Sequence, residues 1–383
     1  MNYLALRRQA LLKALKAGGH PSDSILITHP ANVTYLTGYT GDGAYLVLGG
    51  KAAVVVTDTR TEDQVKDECP ELGKDGGLDL HVRGHDTTTA QAAASVLSKA
   101  GARTVAVEST RLTVAEYEAF KVLAPKAEFV PVGGAVEALR ASKDPGEVEK
   151  IKDAIRIAER AFKMFVATIA EPDTEKEMAD ALEQYVRRCG ARSTSFPPIV
   201  AVGERGALPH AIPTARPLSE GSKLLVDWGA DLTYKADLTR VIRNPYGTAL
   251  TRRNKAERTA HNLDKVYRAV LAAQDAAIAA LRHGTPAKDV DAAARKSLEA
   301  AGYEEYFTHG LGHGIGLEVH EAPRIRTNSD DVLEAGMVVT LEPGVYIPGW
   351  GGVRIEDDFL ITRDGCQRLS TLPRELEPAA PTF

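Results

Sequence analysis

The stretch HGLGHGIGLEVHE, residues 309–321, holds three histidines and four glycines, a composition that suits metal ligation or proton transfer better than an ordinary structural element. Gly310, Gly312, Gly314 and Gly316 would each cost a helix about 1 kcal/mol relative to alanine, which argues against two histidines sharing a helical face as in a zinc protease. An extended chain accommodates them. Glycine at alternate strand positions leaves one face without side chains, so that a backbone, a ligand or a metal cluster can approach. His309 and His313 would then share a face, with His320 at or beyond the strand end. The same composition also describes a glycine-rich loop with hydrogen-bonded histidines, and this stretch alone does not separate the two.

Carboxylates in apolar surroundings decide the matter. Asp227 follows LLV, Glu342 follows VVTL, and Glu356 stands in VRIEDDFLI. A buried, unpaired carboxylate costs several kcal/mol or takes up a proton. For any single acid, an ion pair with an arginine such as Arg240 or Arg354 would suffice. With Asp237, in KADLTR, the four carry a formal charge of -4, which two divalent cations would balance. Oxygen-rich ligation with an imidazole, here His313, suits manganese, cobalt, zinc or iron and argues against a closed structural zinc site. Glycines beside His313 would let its strand lie close to such a cluster.

These residues need a scaffold, and the chain offers two. The first part alternates short apolar runs (25–28, 44–48, 52–56, 104–108) with helical patterns near 59–68, 87–100 and 113–122, an α/β arrangement. Glycine and proline punctuation over 129–147 places a boundary near residue 135, giving domains 1–134 and 135–383. Apolar residues at 148, 151, 155, 158, 162 and 165 then make one long amphipathic helix, with further helices expected at 174–189, 253–282 and 286–300. Strands are expected at 223–230, 237–242, 336–343 and 352–362. They do not alternate strictly with helices, so this part reads as α+β with a largely antiparallel sheet.

A chain of 383 residues suits two domains, and a net charge of -5 gives no case for nucleic acid or an anionic membrane as partner. Cys69, Cys189 and Cys366 lack disulfide-framework or metal spacing, which fits the cytoplasm. The N-terminal stretch reads as an amphipathic helix and not as a signal peptide, and no apolar run has transmembrane length.

The second domain resembles the pita-bread metallopeptidases, the family of methionine aminopeptidase, aminopeptidase P, prolidase and creatinase. PHAIPT (209–214), VDWGADLTYKADLTR (226–240), HGLGHGIGLEVHE, LEPG (341–344) and GVRIEDD (352–358) occur in the family's order. The first 134 residues, with NVTYLTGYTG at 32–41, resemble the N-terminal domain of the creatinase and prolyl-peptidase branch. The resemblance implies a creatinase-like α/β N-terminal domain and an α+β catalytic domain with a curved, largely antiparallel sheet. It implies a metallopeptidase that cuts Xaa-Pro bonds in a dipeptide or short peptide and works as a homodimer. Asp227, Asp237, His313, Glu342 and Glu356 would ligate two divalent ions, manganese first and cobalt or zinc as alternatives. Glu342 would also shuttle protons, while His210, His320 and Arg354 would stand around the substrate and the attacking water. His309 is left as a packing residue behind the ligands. The rival readings are a creatinase-like C–N hydrolase without metals and a peptidase-dead peptide-binding module.

One departure bears on the site. The interval from Asp227 to Asp237 is a residue shorter than is usual in the family, and Thr233 replaces the glycine that normally precedes the tyrosine. A deletion confined to the turn would keep both ligands in place, whereas a shift of register would turn Asp237 to the other face. The intact KADLTR favours the turn.

Overall fold

The structure is a computed structural model and describes residues 3–19, 22–49, 52–74, 77–244 and 261–376. The expected helix at 253–282 lies partly outside these residues, as does the very start of the N-terminal amphipathic helix. Two compact units divide the chain, Met1–Arg140 and Ala141–Phe383.

In the first unit the valine- and leucine-rich runs form a six-stranded sheet. Its elements are α1 (Tyr3–Ala17), β1 (Ser24–Ile27), α2 (Pro30–Thr37), β2 (Tyr45–Gly49), β3 (Ala52–Asp58), α3 (Glu62–Glu68), β4 (Asp79–Arg83), α4 (Thr89–Lys99), β5 (Thr104–Glu108), α5 (Val114–Leu123), β6 (Glu128–Val132) and α6 (Ala135–Ala141). Strand order is β4-β3-β2-β1-β5-β6. The pairs β1/β2 and β2/β3 are antiparallel, and the pairs β3/β4, β1/β5 and β5/β6 are parallel. Leu26, Val47, Val105 and Val107 pack on Ala93 and Leu97 of α4 and Phe120 of α5. Capping boxes at Thr88/Gln91 and Thr113/Glu116 fix where α4 and α5 begin. The sequence reading passed over α2, β4, β6 and α6, each too short to show a clear period.

The second unit opens on α7 (Pro145–Val166) and α8 (Glu175–Arg188), each started by a capping box, at Asp144/Glu147 and Thr174/Glu177. Phe162 of α7 stacks on Trp228 with centroids 4.2 Å apart, and the Trp228 indole donates to the Ala158 carbonyl at 3.0 Å. Strands β7 (Ile199–Val202), β8 (Lys223–Trp228) and β9 (Leu238–Arg243) form a three-stranded sheet. After α9 (Leu263–Ala280) and α10 (Ala287–Ala300) come β10 (Gly312–Gly314), β11 (Glu321–Ile325), β12 (Val338–Leu341), β13 (Gly344–Ile347), β14 (Gly351–Arg354), β15 (Asp357–Ile361) and β16 (Cys366–Arg368). A five-stranded sheet has the order β11-β10-β12-β15-β16, and β13 pairs with β14. Every named strand pairing described in this unit is antiparallel. Val266, Val270 and Ala273 of α9 and Val290 and Ala294 of α10 share one core with Val339, Leu341 and Phe359. This is the α/β plus α+β architecture expected from the pattern.

Two local expectations need correction. The run 352–362 is two strands, not one, because β14 pairs back on β13 while β15 pairs with β12. At the break, the Glu356 N–H donates to the Thr239 carbonyl at 3.2 Å, which joins β9 to this junction. The stretch 309–321 is extended only at Gly312–Gly314, after which the chain turns and returns as β11, with Gly314 opposite Glu321. Gly312 and Gly314 make room for neighbouring backbone and not for the carboxylates. A Cβ on Gly312 would stand 2.0 Å from the Thr340 carbonyl oxygen, and one on Gly314 would stand 2.1 Å from that of Ala322. Neighbouring backbone fills the space a side chain would need.

Candidate active site

Strand β8 carries Asp227 near its end, and Asp237 immediately precedes β9. In the hairpin register Asp227 lies opposite Thr239, and the Asp227 and Asp237 side chains line one cavity. Both acids thus face one site from either side of the connection between β8 and β9. His313 is the middle residue of β10, Glu342 follows β12, Arg354 ends β14 and Glu356 sits at the junction with β15. All six reach a cavity of about 590 Å³, joined there by His210, His309 and His320.

At its floor, ligand-type atoms of Asp237, His313 and Glu356 lie within 4.8 Å of one another. His313 Nε2 stands 3.8 Å from Asp237 Oδ2 and 3.5 Å from Glu342 Oε1, separations longer than ordinary hydrogen bonds. His313 Nδ1 faces the Gly314 carbonyl at 3.1 Å and must carry the proton, which leaves Nε2 a lone pair directed at the acids. Asp227 Oδ1 and Asp237 Oδ1 are buried with no hydrogen-bond partner, as is Oδ1 of the neighbouring Asp358. Native proteins rarely leave such atoms unsatisfied without an ion, a water or a catalytic role for them. The donor set is one imidazole nitrogen and several carboxylate oxygens, which fits a hard or borderline divalent cation.

The electrostatics agree. Burial and the Glu356 and Asp227 carboxylates raise Asp237 well above the ordinary range. Burial and Glu356 do the same to Glu342. Burial and then Asp227 push Glu356 up to about 8. This protein frame therefore does not hold all its acids ionised at neutral pH unaided, and cations would supply what is missing. His313 is pushed down to about 3, chiefly by burial, and so presents a neutral imidazole.

Arg354 is tied into the same wall. Its guanidinium pairs with Asp227 Oδ2 and donates to the Tyr346 hydroxyl at 2.7 Å and to Thr239 Oγ1 at 3.1 Å. Thr239 Oγ1 in turn donates to Glu356 Oε2 at 2.6 Å. The single-acid ion pair considered from sequence therefore exists for Asp227. Arg240 bonds Asp357 instead, at 2.6 Å, outside the cavity lining.

Sequence reasoning set His309 aside, yet it lines the cavity. Its Nδ1 donates to the Gly310 carbonyl at 2.7 Å, so Nε2 accepts from the Tyr346 hydroxyl at 2.8 Å. His320 packs its ring edge-on against His313, with centroids 4.4 Å apart. The carboxylate of Glu321, which follows His320, accepts the Glu318 N–H at 2.9 Å. Tyr346, Thr239, Arg324 and Asp358 also escaped the sequence reading. Only Asp358 had a visible signal, the acidic doublet after Glu356.

Residues 149–363 match the model of metallopeptidase family M24, and residues 7–142 match that of the creatinase/prolidase N-terminal domain. The chain is 34% identical over 360 residues to the Xaa-Pro dipeptidase of Pyrococcus furiosus, covering 92% of this chain and 95% of that protein. Among solved structures it is similar to an Xaa-Pro dipeptidase from Bacillus anthracis, with TM-score 0.87, 33% identity, and 98% and 99% of the two chains covered. It is also similar to an X-Pro aminopeptidase from Thermotoga maritima MSB8, with TM-score 0.83, 31% identity, and 96% and 99% covered.

Proposed function

Since this chain belongs to metallopeptidase family M24, we propose that it hydrolyses the Xaa-Pro bond of a dipeptide or short peptide, using two divalent cations, manganese first. The observation that carries this reading is the cluster of buried acids with unpartnered oxygens around His313, at the floor of a cavity walled by proline and other apolar side chains. Asp227, Asp237, His313, Glu342 and Glu356 would hold the cations. When bound, these would supply Lewis acidity to the scissile carbonyl and to a water.

The chain's own groups do the rest. Glu342 keeps 18% of its side chain accessible, on the cavity wall, and takes the proton from the attacking water. His320, held neutral by burial and by the charges of Arg324 and His210, donates through a ring N–H to the oxygen that becomes anionic. His210, exposed at the rim, is placed to hand a proton to the leaving nitrogen. That proton matters because a prolyl nitrogen carries no hydrogen of its own. Phe196, Pro197, Pro198 and Val319 offer the pyrrolidine ring an apolar wall that reads its shape.

Arg324 and Arg326 also line the cavity, and neither guanidinium meets a carboxylate among the described residues. A carboxylate directly after proline would satisfy them, which supports the dipeptide over a longer substrate. A metal-free creatinase-like reaction leaves the unpartnered oxygens unexplained. The three cysteines are free, which supports a reducing compartment such as the cytoplasm, and the reading includes a homodimer, checked by light scattering.

The test uses chelator-stripped protein given manganese and offered an Xaa-Pro dipeptide, an Xaa-Pro-Yaa tripeptide and an Xaa-Ala dipeptide. The Xaa-Pro dipeptide should be cut fastest, and only with metal. Equal rates on Xaa-Ala would reject proline recognition, and turnover without metal would reject the metal centre.

A further inference from the structure

His320 makes no hydrogen bond with the described residues. Apart from its ring contact with His313, its position is set by the backbone on either side. The loop of residues 315–320 is held at its start, where the Ile315 N–H donates to the Val338 carbonyl at 3.0 Å and the Lys235 N–H donates to the Gly316 carbonyl at 2.9 Å. The far side of the loop is held differently. Glu321 turns its carboxylate back under the loop, where Oε1 accepts the Glu318 N–H at 2.9 Å and Oε2 accepts from Lys143 Nζ at 3.1 Å. A Cβ on Gly316 would stand 2.8 Å from Glu321 Oε2, so the loop wraps closely around this carboxylate.

Both charges are out of solvent, with the Lys143 and Glu321 side chains only 1% and 5% accessible. Lys143 is itself fixed from two directions. Its N–H donates to the Gly336 carbonyl at 2.8 Å, and its ammonium also donates to the Ala141 carbonyl at 3.2 Å. Ser142 bridges to Met337, just ahead of the strand that leads to Glu342. Lys143 lies between the two matched family models, in neither of them.

We propose that the buried Lys143–Glu321 ion pair is a positioning device for His320, holding the loop so that this ring stays over His313 at the cavity floor. Neither residue touches the cavity; both act through His320. A buried ion pair is a poor source of stability, because desolvation offsets its attraction, so a role in specifying one loop geometry accounts better for its presence.

The inference rests on His320 serving the proposed hydrolysis, and the test separates the two. In manganese-loaded full-length protein, Lys143→Met should lower kcat/KM for an Xaa-Pro dipeptide about tenfold, mostly in kcat, with bound metal unchanged. Lys143→Arg, which keeps the pair, should restore activity to within about threefold. In a His320→Ala background, Lys143→Met should cost less than about twofold more, because residues acting as one unit are not additive. Equal factors in both backgrounds would overturn the proposal. Should Lys143→Met not fold, the Lys143→Met/Glu321→Gln pair removes both charges and carries the same expectation. Independently of turnover, the ring resonances of His320 should shift in Lys143→Met while those of His81 and His85 stay. If the wild-type protein cuts no peptide and Lys143→Met still shifts the His320 ring, the functional reading fails and the clamp stands; unchanged His320 resonances in Lys143→Met would defeat the clamp.

Discussion

Glu175 and Asp237 are both buried acids of the second unit, and their surroundings differ in kind. Glu175 is wholly buried at the start of α8, where Oε1 accepts from the Val202 N–H at 2.8 Å. Its Oε2 accepts from Arg205 Nε at 2.8 Å, and from the Thr214 N–H and hydroxyl at 2.9 and 2.7 Å. Asp237 has an unpartnered Oδ1, and its neighbours are further carboxylates. An acid that serves the fold brings its donors with it. An acid whose oxygens are left open among like charges is arranged for something that arrives later, and here that is most simply a cation.

The strongest way to break this contrast is to neutralise each acid. Asp237→Asn should lower manganese-dependent turnover more than about 100-fold, beyond what loss of a supporting residue costs, and should lower bound metal. Without metal, its melting temperature should not fall, since one of several repelling carboxylates is gone. Glu175→Gln should do the reverse. It leaves donors facing an amide and should cost about 2–3 kcal/mol of stability, read by denaturant unfolding, while metal content stays at the wild-type level. If Asp237→Asn destabilises metal-free protein as much as Glu175→Gln, the distinction fails.

The next effect is smaller and depends on pH. Burial and Asp227 raise Glu356 from an ordinary 4.5 to about 8. Between those values the folded metal-free protein binds a proton that the unfolded chain has released, so stability falls as pH rises through this window. Asp237 and Glu342, raised chiefly by burial and then by Glu356, act in the same direction. His309 and His313 act oppositely. Burial depresses them from 6.5 to about 4 and about 3, so their contribution is present above 6.5 and lost as pH falls toward those values. Chelated protein should therefore melt progressively lower from about pH 6.5 to 8, and manganese should remove that decline by holding the acids ionised. A flat profile without metal would mean that the acids are compensated within the protein.

Much of this site was legible because its signals are chemical. Asp227, Glu342 and Glu356 stand out as charges inside apolar runs, and His313 stands out among glycines. The long periods of α7 and α9 were readable for the same reason, since repetition over many residues leaves a pattern. What escaped depends on contacts between distant segments. Tyr346 is an ordinary strand tyrosine until Arg354 and His309 are found on either side of its hydroxyl. Gly312 and Gly314 were correctly seen to need close approach, but only the folded sheet shows that Thr340 and Ala322 do the approaching. Lys143 lay in a stretch read only as a boundary, 178 residues from its partner.

The smallest expected effect lies in the turn between the two open acids. Asp231 stands there between Asp227 and Asp237, but it is a satisfied acid. Against the upward pull of burial, Lys235 at 2.6 Å and the Thr233 N–H at 2.8 Å hold it below the usual carboxylate range. Thr233 adopts φ 96°, the one left-handed non-glycine residue described in the protein. A β-branched residue pays about 1–2 kcal/mol for that conformation, while glycine would adopt it freely and lose about 0.5–1 kcal/mol through its more mobile unfolded chain. Thr233→Gly also forfeits the bond from Arg192 at 3.0 Å, a half-exposed contact of little weight. The net gain should be about 0.5 kcal/mol, with manganese affinity unchanged because Asp231 still anchors the turn. Thr233→Ala keeps the strain and loses the Arg192 bond, so it should fall slightly below wild type. If Thr233→Gly instead weakens metal binding, the turn itself holds Asp237 in place, and the line between satisfied and open acids runs through Thr233.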